Sequence, residues 1–505
     1  MRYIVDNYKF ALEAHDTMAF NRAVDAAYAA GGGTVCTVAG KSYYVKRSDP
    51  ANQKAPSVNL KKGVSLEGNG AKIFLRDNCA FIGNEANNYG RGSSCNITAD
   101  VAYGSKTLTV DAPGIFTVEG TVGFRIGDNA WDEVETKYFD YAVVTEINGN
   151  VITLDRPIFT SMTVATTSAN NKQVYTFDNQ YENTFIRGFE LINDIPNGGN
   201  AESGIDLRYA RNVRIENIIG DNVGAGVVTL AYCYNVTGSN VGVRESIKQN
   251  GHTAKGRVFG MWNSKKCVFE NVYGANFEGT FAFIESYCEG CTLRNIRVIN
   301  SHPTRANEAT PLFSVLQGSE THFDDLYIEG NGGFALVDYG GTTGNNYTIK
   351  NLTLKLTGNI KGGLHTQRIS GILRYISSTG TVSLFNLDKY TERDITVTLT
   401  DNMFATFYMP AGIWIDHFVS LSSNVVVAND FDGFYIGRES AGPGANQSTG
   451  LIPGSEVRMV KLFGTDYPRE SAFDERTTII IDTKASGITG QNKTITVRVK
   501  FVPKS

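Results

Sequence analysis

The sequence GIDLRYARNVRIENIIGDN, residues 204–222, decides the fold of this chain. It contains three short strand-like pieces, with a polar bend before the third. Similar phrases recur at 227–243, 259–276, 281–300, 313–331 and 334–356. A repeat of roughly 20 to 33 residues, made of three short strands, is typical of a solenoid in which each coil packs only against its neighbours. We therefore predict a parallel β-helix.

A polar residue recurs at the bend before the third strand of the coil. The four instances are Asn217, Asn271, Asn295 and Asn351. Asparagine favours turns in general, but recurrence at one phase of the repeat predicts side chains that stack from coil to coil. We expect an internal ladder that hydrogen-bonds the backbone of the turns.

The ends of the repeat region have different patterns. Residues 16–30 predict an amphipathic helix with Asp16 as its N-cap and three glycines after its last turn, and such a helix would cover the open end of a solenoid. Strand and turn pairs after residue 97 predict a small inserted β module, and alternating segments after residue 360 predict an antiparallel β-sandwich. The predicted domains are 1–97, cap and first coils; 98–160, inserted module; 161–360, central β-helix; and 361–505, sandwich.

The composition excludes several classes of function. The net charge is -4, the sequence pI is about 6.0, and the chain has no basic run that would bind nucleic acid. Its apolar stretches are strand-sized and its first residues lack the pattern of a signal peptide, so we expect neither membrane insertion nor secretion by the ordinary route. The seven cysteines have no paired-motif spacing for zinc, and we interpret them as reduced core residues made in a cytosol.

The N-terminal sequence resembles a known superfamily. HDTMAFNRAVDAAYAAGGGTVCTVAGKSYYV, residues 15–45, followed by LKKGVSLEGNGAKI, residues 60–73, resembles the N-terminal signature of the pectate-lyase-like β-helices, which include pectinases, alginate epimerases and phage tailspikes. The resemblance implies an all-β, right-handed parallel β-helix that handles polysaccharide. With the predicted module and sandwich, it is most like tailspikes, which implies a homotrimer on the virion, contact with phage tail or baseplate proteins, and action on bacterial surface polysaccharide outside the host cell that made it.

Two relatives fit less well. The Asp-Pro-His catalytic motif of the alginate epimerases has no counterpart here, since the corresponding region reads GVVTLAYC, residues 226–233. Pectate lyases bind calcium through clustered aspartates on neighbouring coils, and no such cluster is present in the sequence. We therefore predict neither a metal nor another cofactor.

Carboxylates on the first strand of each coil are candidates for hydrolysis. Alternate strand residues point outward, and neighbouring coils stack at about 4.8 Å, so outward groups would form a grid. The acidic residues there are Asp206, Glu285 and Asp338. Glycosidic hydrolysis needs two carboxyl groups about 5 to 9.5 Å apart. Glu285 and Asp338, two coils apart at about 9.6 Å, are near that limit, whereas Asp206 is about three coils from Glu285.

The excursion loops offer candidates for β-elimination, which needs a base and cations that neutralise a uronate carboxylate. Glu245 and His252 are the catalytic candidates, and we expect the loop 244–257 to overhang the face of the first strands. Basic, histidine and aromatic residues near it are the candidates for substrate binding: Arg244, Lys255, Arg257, Trp262, Tyr287, His302 and Arg305. Each of these residues also has a plain structural interpretation as solvated surface or packing.

Three functions remain open on this sequence. The first is a tailspike depolymerase that cleaves capsule or O-antigen by hydrolysis or β-elimination. The second is a receptor-binding spike without catalysis, and the third is a bacterial polysaccharide lyase or glycosidase. The parallel β-helix fold occurs in proteins with many activities, so the fold alone does not determine which of the three functions this chain has.

Overall fold

A computed structural model of the 505-residue chain describes residues 1–52, 55–84, 91–126, 138–167, 172–178, 180–195, 203–223, 226–245, 257–276, 281–285 and 288–300, and the strands named below after residue 300. They belong to two compact units. The first is Met1–Leu293 with Val315–Thr321 and Tyr339–Asn346, and the second comprises Arg294–Ser314, His322–Asp338 and Tyr347–Ser505. Among the described helices, none is both long and apolar enough to cross a membrane.

The first unit begins with a helix packed on strands. The elements are β1 (Arg2–Ile4), a 3-10 helix (Val5–Tyr8), α1 (Thr17–Ala29), β2 (Gly33–Cys36), β3 (Ser42–Val45), β4 (Val58–Asn59), β5 (Val64–Leu75) and β6 (Ile82–Gly83). Helix α1 buries Phe20, whose ring meets those of Tyr43 and Phe81 edge-on at 5.5 and 5.9 Å. The predicted helix is confirmed. Asp16 stands at the N-cap, but its Oδ2 accepts a hydrogen bond from the Tyr44 backbone N–H at 2.8 Å instead of capping the helix.

A six-stranded antiparallel sheet follows, which we call the module sheet. Its elements are β7 (Arg91–Asn96), β8 (Thr107–Thr109), a 3-10 helix (Pro113–Ile115), β9 (Thr121–Ile126), β10 (Tyr138–Asn148), β11 (Val151–Leu154) and β12 (Lys172–Phe177). The strand order is β7-β12-β9-β10-β11-β8. One side of the sheet has its own apolar core, which includes Phe124, Val144 and Ile152.

The coils that follow alternate a long and a short strand. They comprise β13 (Glu182–Asn193), β14 (Ile205–Arg208), β15 (Arg211–Asp221), β16 (Val228–Ala231), β17 (Thr237–Glu245), β18 (Phe259–Trp262), β19 (Val268–Ala275), β20 (Ala282–Glu285) and β21 (Cys291–Asn300). Within the first unit, β5, β13, β15, β17 and β19 pair in parallel as the long-strand sheet, and β4, β6, β14, β16, β18 and β20 pair in parallel as the short-strand sheet. The predicted parallel β-helix is confirmed.

The core between the sheets follows the alternation of the strands. Ile205 and Leu207 of β14 are fully buried, as are Val228, Leu230, Phe259 and Met261 in register with them on β16 and β18. Each such apolar side chain stabilises the fold by roughly 1.5–3 kcal/mol relative to exposure. All seven cysteines are buried, and burial raises the pKa of Cys233 to about 12.

Each long strand bends at a left-handed residue. The predicted asparagine ladder is present at these bends, but it lies on the surface and not inside the solenoid. Asn217, Asn240 and Asn271 have φ of 55°, 55° and 56°. Asn240 Nδ2 donates to Asn217 Oδ1 at 2.9 Å, and Asn271 Nδ2 donates to Asn240 Oδ1 at 3.0 Å. The three side chains are exposed, so the expectation of an internal ladder bonded to turn backbone is wrong. Asparagine is preferred here because it tolerates the left-handed region, which costs other residues with a Cβ roughly 1–2 kcal/mol.

Replacing Asn240 by Ala is therefore expected to lower the melting temperature more than replacing it by Gly. Both variants lose the two side-chain hydrogen bonds, but only alanine also has a Cβ in the left-handed region, which adds about 1 kcal/mol of destabilisation. Thermal unfolding followed by circular dichroism would measure the difference. Equal melting temperatures would mean that the bend conformation contributes nothing and that the hydrogen bonds alone matter.

A buried charge cluster, the Lys265 cluster, joins the module sheet to the coils. Lys265 is 5% exposed, and its Nζ lies 3.2 Å from Asp140 Oδ2 and 2.6 Å from Glu289 Oε2. The Tyr138 hydroxyl donates to Asp140 Oδ2 at 2.9 Å, and burial together with that carboxylate raises the pKa of Tyr138. Arg156 NH1 lies 3.9 Å from Asp140 Oδ1. Tyr138 and Asp140 belong to β10 of the module sheet, and Lys265 follows β18 of the coils. The cluster therefore fixes the module sheet against the coils of the β-helix.

The second unit contains the strands toward the C-terminus. The strands named after residue 300 are β22 (Phe313–Val315), β23 (Glu320–Asn331), β24 (Val337–Asp338), β25 (Asn346–Thr357), β26 (Ile369–Ser377), β27 (Val382–Asn386), β28 (Arg393–Leu399), β29 (Phe404–Met409), β30 (Ile413–Ser423), β31 (Tyr435–Arg438), β32 (Arg458–Val460), β33 (Thr477–Asp482) and β34 (Lys493–Pro503). β25, β26 and β28 pair in parallel, whereas β28, β34, β30 and β32 pair antiparallel in that order. A second sheet has the order β27-β29-β33-β31. The C-terminal sandwich and the domain boundaries stay predictions.

Candidate functional site

The outer face of the short-strand sheet carries two columns of outward residues. Asp206 is in register with Thr229 on β16 and Gly260 on β18. Arg208 is in register with Ala231 on β16, Trp262 on β18 and, through Trp262, Glu285 on β20. Asp206 and Glu285 are therefore three strands apart and in different columns, as the sequence predicted for their separation. At about 4.8 Å per strand they cannot act on one bond together.

Asp206 and Arg208 form a partly buried ion pair on this face. Arg208 NH2 lies 3.4 Å from Asp206 Oδ2, and the side chains are 21% and 38% exposed for the aspartate and the arginine. Asn84 fixes the strand there, since its Oδ1 accepts from the Arg208 backbone N–H at 3.0 Å and its Nδ2 donates to the Arg208 carbonyl at 2.5 Å. Asp206 Oδ1 is buried and has no hydrogen-bond partner within the described part of the chain.

Trp262 lies flat against the neighbouring column. A Cβ built on Gly260 would be 2.9 Å from Cη2 and Cζ3 of the Trp262 ring, so only glycine allows the ring to rest on the backbone of its own strand. Trp262 is half-buried, which leaves part of the ring accessible. A partly exposed aromatic face is the surface on which the apolar face of a sugar ring packs.

Two stacked tyrosines, which we call the tyrosine pair, follow the ends of β14 and β16. The rings of Tyr209 and Tyr232 are 4.8 Å apart and inclined by 7°. Arg91 and Arg125 of the module sheet lie over them, with guanidinium carbons 5.2 Å from the centroid of Tyr209 and 5.9 Å from that of Tyr232. Burial and Tyr232 raise the pKa of Tyr209, and the two arginines oppose that shift. The module thus brings cations to the edge of the outer face.

Contacts of the module hold this arrangement. The Tyr141 hydroxyl donates to the Tyr232 carbonyl at 2.9 Å, and Arg211 NH1 donates to Thr121 Oγ1 at 3.1 Å. Phe139 meets Tyr209 and Tyr232 edge-on at 5.6 and 5.1 Å. The tyrosine pair is therefore a packed, positioned element.

Arg244 and Glu245 lie on the other sheet. They end β17 in the long-strand sheet, where Arg244 NH1 lies 2.6 Å from Glu190 Oε1, and this hydrogen bond raises the pKa of Arg244. Glu245 is in register with Asp221 of β15. The expectation that residues 244 and 245 overhang the face of Asp206 is wrong, because they continue a paired strand instead of beginning a loop. Their proposed roles stay predictions.

Several candidates cannot be placed. His252, Lys255, Tyr287, His302 and Arg305 lie outside the described residues, as do the side chains of Glu285 and Asp338. Arg257 is described and half-buried just before β18. In the described ranges, no group of three or more histidine, cysteine and acidic side chains is arranged to hold a metal ion.

Sequence reasoning missed Tyr209, the stacking of the two tyrosines and the two module arginines. Tyr209 and Tyr232 stand at the same phase of successive repeats, GIDLRYA and VVTLAYC, so aligning the repeats would have found the pair. Arg91 and Arg125 gave no signal, because their position depends on how the module packs on the coils.

No protein-family model matches the chain, and no curated protein matches it. Among solved structures it is similar to the tailspike gp61 of Pseudomonas phage phi297 (10% identity, 100% of this chain and 99% of that chain, TM-score 0.33). It is also similar to the gp54 tailspike of Acinetobacter baumannii bacteriophage AP22, in complex with A. baumannii capsular saccharide (10%, 100% and 96%, 0.30). A third is the A-module of Azotobacter vinelandii mannuronan C-5 epimerase AlgE6 (13%, 75% and 80%, 0.37). These neighbours are tailspikes and an epimerase module, two of the kinds of protein that the N-terminal sequence resembles.

Proposed function

We propose that this chain binds a bacterial surface polysaccharide, capsule or O-antigen, along the outer face of the short-strand sheet and cleaves it as a tailspike depolymerase. One observation carries the proposal: an accessible aromatic ring, Trp262, and a carboxylate–guanidinium pair, Asp206 and Arg208, share one face of a regular parallel sheet. Strands spaced about 4.8 Å apart offer a linear polymer a long, uniform surface. Stacking on a ring and bonding to fixed polar groups are the contacts that sugars make.

Asp206 is the carboxylate we assign to proton transfer. Its Oδ2 lies 3.4 Å from Arg208 NH2 and the side chain is 21% exposed, so the carboxylate reaches the outer face of the sheet. As a base it would take the proton next to a uronate carboxylate, and Arg208 would neutralise that carboxylate. As an acid it would protonate a leaving oxygen, with a second carboxylate still to be identified. Elimination and hydrolysis both remain open.

Binding without cleavage is the second candidate. The residues in register with Asp206 on the flanking strands are Gly83, Thr229 and Gly260, and none of them is acidic. Hydrolysis needs a partner carboxylate, so the lack of one in these positions favours a receptor-binding spike. A homotrimer, attachment to a phage tail and a virion location belong to the same proposal and rest on the N-terminal sequence resemblance.

Digestion of a panel of purified capsular and O-antigen polysaccharides tests the proposal. Size exclusion would detect shortened chains, and absorbance near about 232 nm would detect the unsaturated uronate left by elimination. Shortened chains with the absorbance indicate a lyase, and shortened chains without it indicate a hydrolase. Tight binding without shortening would reject cleavage and leave the receptor-binding spike. Neither binding nor cleavage across the panel would contradict the proposal as a whole.

Replacing Trp262 by Ala is expected to weaken polysaccharide binding by about 10- to 100-fold. The change removes the ring that rests on Gly260, and the contact surface of a large aromatic ring is worth roughly 1.5–3 kcal/mol. Isothermal titration with the polysaccharide bound in the panel would measure it. Tyr103→Ala is the matched control, because Tyr103 is a 70% exposed ring on the inserted module. An equal loss in both variants would argue against a specific role for Trp262.

A further inference from the structure

The module arginines are held in an unusual electrostatic setting. Arg91 opens β7 and Arg125 lies near the end of β9, and each guanidinium lies over one ring of the tyrosine pair. Because those rings are stacked 4.8 Å apart, the two cations belong to one small region. Like charges so close raise each other's free energy unless an anion lies between or beside them.

Arg125 lacks such an anion in the described part of the chain. Its Nε is buried without a hydrogen-bond partner, and no described carboxylate lies within ion-pair distance of its guanidinium. Its guanidinium lies over the Tyr232 ring, and such a cation–π contact stabilises a charged group by only about 0.5–2 kcal/mol. A partly buried guanidinium normally requires a charged or strongly polar partner.

Two other arginines that stack on rings have a carboxylate as well. Arg76 lies 4.2 Å from the Tyr44 centroid and 2.8 Å from Asp194 Oδ2. Arg187 lies 4.5 Å from the Phe185 centroid and 2.6 Å from Glu67 Oε1. Arg125 differs from both, because no carboxylate of the described residues lies beside its guanidinium.

We propose that Arg125, together with Arg91, binds an anionic group carried by a sugar: a carboxylate, a sulfate or a phosphate. The planar guanidinium fork bonds such groups through two parallel hydrogen bonds. The proposal rests on the proposed function for its setting, because the tyrosine pair directly follows Arg208 and Ala231 at the edge of the outer face. The inserted module then selects acidic polysaccharides, and Asp206 and Trp262 contact the same chain nearby.

Saturation-transfer NMR with three sugars tests the inference at constant ionic strength. Glucuronate carries a carboxylate, glucose 6-phosphate carries a phosphate, and glucose is the neutral probe. We expect the two acidic sugars to bind the intact protein more tightly than glucose. Arg125→Gln should weaken the acidic sugars by at least about tenfold and leave glucose unchanged, since a hydrogen bond to a charged group contributes roughly 1.5–3 kcal/mol. Tighter binding of glucuronate would identify a carboxylate as the preferred anionic group, and tighter binding of glucose 6-phosphate would identify a phosphate.

Two further variants guard the result. Arg76→Gln removes a ring-stacked arginine that already has a carboxylate, so it should leave the binding of all three sugars unchanged. Arg125→Lys keeps the charge without the fork and should bind acidic sugars at an intermediate level, which excludes an unfolded variant as the explanation. Equal binding of the three sugars, or undiminished binding of the acids by Arg125→Gln, would overturn the inference.

The outcome is separable from that of the proposed function. Cleavage of neutral polysaccharides without any acidic preference would overturn this inference and leave the depolymerase standing. Binding of glucuronate that depends on Arg125, with no polysaccharide bound in the panel, would support the anion site and reject the depolymerase.

Discussion

Lys265→Met is expected to lower the free energy of unfolding of the first unit by about 3–5 kcal/mol. Lys265 and Asp140 are 5% and 4% exposed, and Lys265 Nζ lies 3.2 Å from Asp140 Oδ2. Methionine fills a similar volume but leaves the Asp140 carboxylate buried without its nearest cation, beside the Tyr138 hydroxyl, the Tyr141 backbone N–H and the more distant Arg156. An uncompensated buried charge is among the most costly single changes. Urea unfolding followed by tryptophan fluorescence would measure the loss.

Two variants make this result interpretable. Lys266→Met changes the next residue, which is exposed, and should cost less than about 1 kcal/mol. Lys265→Met combined with Asp140→Leu removes both charges and should recover much of the lost stability, because replacing a whole buried pair is often close to neutral. If the double variant were as unstable as Lys265→Met, packing and not charge would explain the loss.

Asp206→Asn is expected to lower the rate of polysaccharide cleavage by about 10²- to 10⁴-fold, the usual contribution of a positioned acid or base. The amide keeps the shape and can still accept a hydrogen bond from Arg208, but it cannot exchange a proton. Affinity for the intact polysaccharide should change much less, because Arg208 and Trp262 remain. Initial rates from reducing-end release, with affinity from titration, would separate the two effects.

Glu190→Gln is the matched control for Asp206. Glu190 is also an outward carboxylate paired with an arginine, Arg244, but it lies on the long-strand sheet. Its replacement should leave the rate within about twofold, as expected for a surface ion pair. Loss of activity in Glu190→Gln with full activity in Asp206→Asn would move the active site to the long-strand sheet, where Asp221 and Glu245 are in register.

The features predicted from sequence were those that repeat. The alternation of Ile205, Asp206, Leu207 and Arg208 fixed which side chains point inward, because strand geometry has a period of two. The helix was predicted from its apolar spacing and its terminal glycines. The asparagines of the repeat predicted where the long strands bend at a left-handed residue. Asn240 was not among them, and its place in the ladder follows only from the register of β15 and β17.

The features that escaped prediction depend on contacts between distant residues. β7 and β12 pair across the module, so its sheet spans residues 91–177 and not just the local hairpin patterns of 98–160. Lys265 is one of two adjacent lysines with no local sign of burial, yet it is buried because Asp140 approaches from the module. The tyrosine pair and Arg125 meet for the same reason. A single sequence has no local pattern that records such docking.

The spacing of the bend asparagines has a consequence for engineering and evolution. Asn217 and Asn240 are 23 residues apart and Asn240 and Asn271 are 31 apart, yet both pairs make the same hydrogen bond in the same register. The extra residues enter between Glu245 and Phe259, so the coil keeps its circumference while this corner changes length. Doubling a loop costs only about 0.6 kcal/mol of closure entropy. We therefore expect the connection between Glu245 and Phe259 to accept inserted peptides while the strands on either side keep their register.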